Sequence, residues 1–281
     1  MTAAAQIFAE RLASGVEIDE PVAVIVAHPD DETLWTGSAL RRLKQLRLIL
    51  LTDGAPLDMA DATRLGFGSR DAYAQARARE FAAALAALDA RGGYRCYDII
   101  DQQTAAVLAP TIDRLAAELA DVAAVITHPY EGGHPDHDAA AYAARAAVER
   151  LTRGREAPAL VEFACYHAVD GQRRFGEFWH DTASPERQRG LDAADRDRVG
   201  DAIAAHRTQQ MVIGDWRPEV ERWRAAPAYD FAAPPPPGWC LYDSLGWAIT
   251  SDRWRALAHA QTARESHWAA TAKLVTERRR E

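Results

Sequence analysis

Two short runs leave this chain little choice of fold. Val22-Ala23-Val24-Ile25-Val26-Ala27 is apolar without a break, and Val122-Ala123-Ala124-Val125-Ile126-Thr127 is apolar up to its last residue. A strand with one wet face alternates polar and apolar residues. A strand with no polar face has to be covered on both sides, as in a parallel sheet between helical layers. Leu48 to Leu51 is a third such run, Tyr94 to Tyr97 a weaker one, and Leu160 to Tyr166 another. Helical spacing fills the gaps. A helix is expected over 32–46 on Leu34, Leu40 and Leu43, and one over 71–88 on Ala74, Ala78, Phe81 and Leu85. A helix opened by Pro110 carries Ile112, Leu115 and Leu119, and another is expected over 138–151. The alternation predicts an α/β fold with a mostly parallel sheet flanked by helices.

In such sheets, ligands sit beyond the carboxyl ends of the strands. Both apolar runs end there in clusters of histidine and carboxylate. The first leads into His28-Pro29-Asp30-Asp31-Glu32, the second into His128-Pro129-Tyr130-Glu131-Gly132-Gly133-His134-Pro135-Asp136-His137. Imidazole nitrogen and carboxylate oxygen suit Zn²⁺, and three protein ligands plus a water make the usual catalytic arrangement. His28, Asp31 and His137 can supply the triplet. Asp30 then stays free to take a proton from the water, and His134 can face developing oxyanion charge or the leaving amine. Spacing alone leaves His128, Glu32 and Asp136 open as ligands instead. It also leaves a structural reading, in which Pro29 and Pro135 punctuate strand exits and the polar residues cap helices.

The two clusters, with Ala27 preceding the first, resemble the paired motifs of the PIG-L/LmbE-like metal-dependent N-deacetylases. The resemblance runs over about residues 22–215. It takes in Leu51-Thr52-Asp53-Gly54 at the second strand exit, Arg77 and Glu80 spaced as Arg-x-x-Glu, Asp101, and His206-Arg207-Thr208-Gln209. It implies a Rossmann-like sheet without a dinucleotide, and no Gly-x-Gly-x-x-Gly follows the first strand. It implies ligation of Zn²⁺, or another divalent metal, by His28, Asp31 and His137. Asp30 is then the general base, and His134, as imidazolium, assists at the tetrahedral intermediate. Arg77 and Asp101 face the substrate in this reading. Some family members place a tyrosine two residues before the first histidine of the second motif. This chain has Gly132 there, so Tyr130 is the candidate for the substrate side. The twin glycine after the first motif is altered too, Gly37 being followed by Ser38. Glu32, Asp53 and His128 are expected to support the ligands or line the rim. The implied reaction is hydrolysis of an N-acyl, chiefly N-acetyl, group from an amino-sugar or glycoconjugate. The alternatives are a zinc amidase on a thiol-sugar conjugate or specialised metabolite, and a noncatalytic carbohydrate-binding protein.

The rest of the sequence bounds these expectations. With 41 acidic against 33 basic residues and a net charge of −8, no basic stripe argues for nucleic acid. Three scattered cysteines, Cys96, Cys165 and Cys240, make no disulfide framework or thiolate metal site. No signal-peptide pattern or apolar stretch of membrane-spanning length is present, so a cytoplasmic protein with no integral membrane segment is expected, possible as a homo-oligomer. We expect a core over 1–215 with a helical lead-in, then a less regular, tryptophan-rich C-terminal extension over 216–281 packed on it. In that extension a strand or hairpin is expected over 239–247 and a helix over 256–280, preceded by a helix over 192–213.

Overall fold

The computed structural model describes residues 2–152 and 156–278. Its apolar runs pair as their lack of a polar face requires. β1 (Ile18–Val26), β2 (Leu43–Thr52), β3 (Tyr94–Ile99), β4 (Ala124–Thr127) and β5 (Ala159–Phe163) lie parallel in the order β3-β2-β1-β4-β5. β6 (Tyr166–Val169) and β7 (Gln172–Phe175) form a separate antiparallel hairpin, while β8 (Arg187–Gly190) and β9 (Val220–Ala225) extend the main sheet in the order β5-β9-β8. The seven-stranded sheet therefore takes one strand from the segment after residue 215.

β1 shows why both faces are covered. Val22, Val24 and Val26 point into one core, with α1 (Ala3–Ser14), α2 (Asp31–Leu40) and residues of the later helix α7 (Ala193–Ala205). Ala23 and Ile25 point into the other, packed by α5 (Leu108–Glu118), α6 (Pro135–Leu151) and α9 (Ser251–Arg278). Each fully buried Val, Ile or Leu contributes roughly 1.5–3 kcal/mol to this arrangement. The remaining helices are α3 (Ala60–Arg64), α4 (Arg70–Ala87) and α8 (Gln210–Ile213). No helix among the described residues is long and apolar enough to cross a membrane.

The chain reverses direction across the sheet between β1 and β4. From β1 it steps outward to β2 and β3, then returns to the other side for β4 and β5. Beyond the strand ends at this reversal lies the crevice of an open α/β sheet. Val24 opposes Ile126 in register, so the two polar clusters leave adjacent strands at the same level.

Three local expectations are corrected. The helix expected over 32–46 stops at Leu40: Thr36 leaves helical geometry at φ −148°, and Leu43 already pairs with Ile18 as β2 begins. The helix expected over 192–213 ends at Ala205, where His206 turns the chain into a 3₁₀ turn (Arg207–Gln209) before α8. Residues 239–247 hold a 3₁₀ turn (Leu241–Ser244) instead of a hairpin. The tail helix α9 begins at Ser251, and what was expected for residues 279–280 lies outside the described residues.

Candidate metal centre

The clusters meet at the crevice because each strand exit is followed at once by a helix. Asp30 precedes α2, so Asp31 sits in that helix's first turn. His134 caps α6 by accepting the Asp136 N–H on Nδ1 at 3.1 Å, which puts His137 one turn inside, with Pro135 at the first helical position. Gly133 is needed for this approach: a Cβ there would run into the Tyr166 carbonyl.

Three groups converge. His28 Nδ1 lies 3.1 Å from His137 Nε2 and 3.3 Å from an Asp31 oxygen, and His137 Nε2 lies 3.3 Å from the other Asp31 oxygen. Ligand bonds of about 2.0–2.1 Å around a tetrahedral ion place neighbouring ligand atoms about 3.3 Å apart. The spacing thus fits a cation at this point, and the donor set, two imidazoles and a carboxylate, fits zinc. Charge agrees. Burial opposes a proton on His28, yet Asp101, Asp136 and Asp31 around the ring outweigh it and hold its pKa well above the ordinary value. This is a pocket of carboxylates calling for positive charge, which a dication supplies as well as a proton does.

Carboxylates crowd the outer nitrogen of His28 without a well-formed hydrogen bond, and a thiol faces that of His137, leaving the inner nitrogens turned to one another. His28 Nε2 sits 3.2 Å from Asp101 and 3.4 Å from Asp136. Asp136 is itself fixed by backbone N–H groups of Gln102 (2.5 Å) and Thr104 (3.0 Å). His137 Nδ1 meets the Cys165 thiol at 3.5 Å. Burial chiefly, with His128 helping and Asp31 opposing, lowers the His137 pKa to about 4, so it is the neutral imidazole that a metal ligand must be. Partners on the outer nitrogen of this kind orient a ligating ring.

His128 stands behind the triplet. Its Nε2 accepts the Ala27 N–H at 3.1 Å and lies 3.4 Å from Asp31, and its ring stacks on His137 with centroids 4.1 Å apart. With that lone pair engaged, His128 does not offer Nε2 to a cation and instead packs its ring against His137. Glu32 is fully buried, accepts the Thr33 hydroxyl at 2.5 Å, and has its pKa pushed well up by burial. Asp53 accepts from Arg70 at 2.6 Å and from the Ala55 N–H at 3.0 Å, bracing the loop after β2, whose Gly54, Pro56 and Asp58 line the cavity while Asp53 itself does not.

Asp30 lies beside the triplet and is gripped by Arg77, whose Nη2 donates to it at 3.0 Å while Nη1 donates to the Gly54 carbonyl. Burial raises the Asp30 pKa to about 6, against the pull of the Arg77 guanidinium and with a push from Asp31. A carboxylate so placed takes up a proton near neutral pH. His134 turns Nε2 towards Asp101 at 3.7 Å. Burial first, then the neighbouring His28, drives its pKa well down. The imidazolium expected for His134 is therefore corrected to a neutral ring, with Nδ1 accepting at the helix cap and the proton assigned to Nε2, facing the cavity.

Tyr130 is a second correction. Its hydroxyl donates to Ala233 O at 2.7 Å, and its ring stacks on Trp254 at 5.2 Å within the second core, outside the cavity wall. The cavity measures about 720 Å³ and is lined by His28, Asp30, Asp31, Arg77, Asp101, His134 and His137. It is also lined by Tyr73, Tyr166, Gln209, Trp216 and Trp247, which sequence reasoning did not assign to the site. Trp247 packs against His134 with centroids 4.8 Å apart, and Gln209 donates to the Tyr73 hydroxyl at 2.8 Å. The His206-to-Gln209 segment was the one signal for Gln209; Trp216 and Trp247 lie in irregular stretches with no periodicity to read, while Tyr73 in α4 and Tyr166 in β6 carry no motif that marks them.

Residues 23–148 match the family described as PIG-L, GlcNAc-PI de-N-acetylase. No curated protein matches the chain significantly. Among solved structures, the chain resembles the A40926 pseudoaglycone deacetylase Dbv21 with a TM-score of 0.55 and 19% identity, over 75% of this chain and 100% of that one. It resembles a deacetylase of the teicoplanin biosynthesis pathway with a TM-score of 0.55 and 16% identity, over 75% and 99%. The zinc-inhibited form of teicoplanin deacetylase Orf2 gives 0.54 and 16% over the same shares. At such identities the likeness speaks to the fold.

Proposed function

We propose, from the premise that residues 23–148 are a PIG-L domain, that this chain is a metal-dependent N-deacylase that removes an acyl group from an amino-sugar or glycoconjugate. The observation that carries the reading is the meeting of His28, Asp31 and His137 at 3.1–3.3 Å beside a carboxylate, Asp30, that takes no part in that triplet. The family description and the deacetylases of similar fold support the choice of an N-acyl sugar as substrate.

His28, Asp31 and His137 would hold a divalent cation, zinc by the chemistry of the donors. Bound there, it supplies Lewis acidity, polarising the amide carbonyl and lowering the pKa of water. Asp30 takes the proton of the attacking water, and Arg77 keeps that carboxylate ionised and aimed. His134 donates its Nε2–H to the oxygen on which charge develops. The proton collected on Asp30 then passes to the departing nitrogen, leaving carboxylate and free amine. Asp101 orients the His28 ring and lies close enough to His134 to accept a sugar hydroxyl between them.

The test joins metal analysis of purified protein to mass-spectrometric detection of free amines across a panel of N-acyl glycosides. About one equivalent of zinc and a deacylated product are expected. A protein that binds glycosides while releasing no amine with any divalent ion added would refute the reading.

A further inference from the structure

Beyond the triplet, one wall of the cavity is built of rings. Tyr166 packs edge-on against His137 with centroids 5.2 Å apart, and from it four rings close a circuit. Trp35 lies 6.1 Å from Tyr166 and 5.5 Å from Trp216, and Phe175 lies 5.9 Å from Tyr166 and 6.1 Å from Trp216. All four line the same cavity as the metal-site residues. They come from α2, the β6–β7 hairpin and the segment after α8, and all but Trp35 lie outside the stretch matching the family. The circuit begins buried and ends open. Trp35 is buried, whereas Phe175 is 45% exposed and Val212, which lines the same cavity, is 68% exposed.

An acetamide and one sugar ring leave much of 720 Å³ unfilled. Sugar hydroxyls need polar partners, which Arg77, Asp101 and His134 offer at the floor; the ring wall presents carbon. Apolar side chains left half in water at the mouth of a reactive cavity mark a surface that a ligand covers.

We propose that this four-ring wall is the subsite for an apolar arm, aryl or alkyl, attached to the N-acylated amine, and that Phe175 and Val212 set the preference for it. The inference rests on the deacylase reading only for placing the scissile amide at the metal site. A bare N-acetylhexosamine is then a poor ligand, and the same sugar carrying a ring or chain is a good one.

The experiment compares methyl, phenyl and octyl N-acetylglucosaminides in two readouts: dissociation constants from tryptophan fluorescence on the Asp30→Asn protein, and KM and kcat on the wild type. The phenyl or octyl compound should bind at least about tenfold more tightly than methyl, which is what covering one half-exposed aromatic ring is worth. Phe175→Ser should remove most of that preference. Val212→Asn, at a site too exposed to endanger folding, should remove part of it. A tighter phenyl compound identifies a ring as the arm, and a tighter octyl compound a chain. Equal affinity for all three, no binding of any, or a preference that survives both substitutions overturns the proposal. The readouts separate the two readings. Preferential binding without hydrolysis keeps the subsite and refutes the deacylase, while hydrolysis with equal KM values does the reverse.

Discussion

Replacing Asp30 with Asn should make the metal-free protein more stable while disabling it. Burial holds the Asp30 pKa at about 6 against an ordinary 3.8, even with Arg77 donating at 3.0 Å. At about 1.4 kcal/mol per tenfold, keeping that carboxylate ionised inside the fold costs about 3 kcal/mol at neutral pH. The sign follows from the direction. Because the folded pKa is the higher one, the folded state binds the proton more tightly, and wild-type stability falls as pH rises from about 4 to about 6 before levelling off. Asn copies the shape of the neutral acid at every pH. In urea titrations with chelator present, the variant should match wild type near pH 4 and exceed it by up to about 3 kcal/mol at pH 8. Turnover should fall by roughly 10²–10⁴, the usual worth of a positioned base, with bound zinc largely retained. A variant less stable than wild type at pH 8, or a stability gap indifferent to pH, would refute the account of Asp30 as a carboxylate kept ionised at a cost.

Other substitutions probe the surroundings. Arg77→Met removes the charge that lowers the Asp30 pKa, so the acid limb of the kcat/KM profile should move to higher pH; an unmoved limb would mean that Arg77 does not set the base. Asp136→Asn points an amide N–H at the Gln102 or Thr104 N–H that the carboxylate now accepts. Zinc affinity should drop about 10–100-fold by competition with a chromophoric chelator, the range for a group that orients a ligand. Tyr130→Phe should leave KM and kcat as they are and cost about 1 kcal/mol in urea unfolding, since only the bond to Ala233 O is lost; a raised KM would return Tyr130 to the substrate.

What could be read from residues alone was whatever depends on local order. Short unbroken apolar runs rich in β-branched residues, such as 22–27, specify strands covered on both faces, because a strand with no polar side has to be hidden twice, whereas the buried run Ala139–Ala144 is alanine-rich and belongs to a longer helix. The strands' polar exits fix which end of the sheet carries the chemistry. The helix expected over 138–151 begins three residues earlier, at Pro135, where the His134 side chain caps it by accepting the Asp136 N–H. The end of α2 was not local, because Leu43 joins the sheet through pairing with Ile18, a contact 25 residues away that no helical periodicity records. Nor could spacing say that His128 spends its Nε2 on the Ala27 N–H, leaving His28, Asp31 and His137 as the close triplet: the two strand exits are about a hundred residues apart, and only the β1–β4 register brings them level. The neutral His134 and the raised Asp30 come from burial, a property of everything packed around them. The ring wall is tertiary for the same reason. Trp35, Tyr166, Phe175 and Trp216 share no element or period, and only the folded chain makes them one surface.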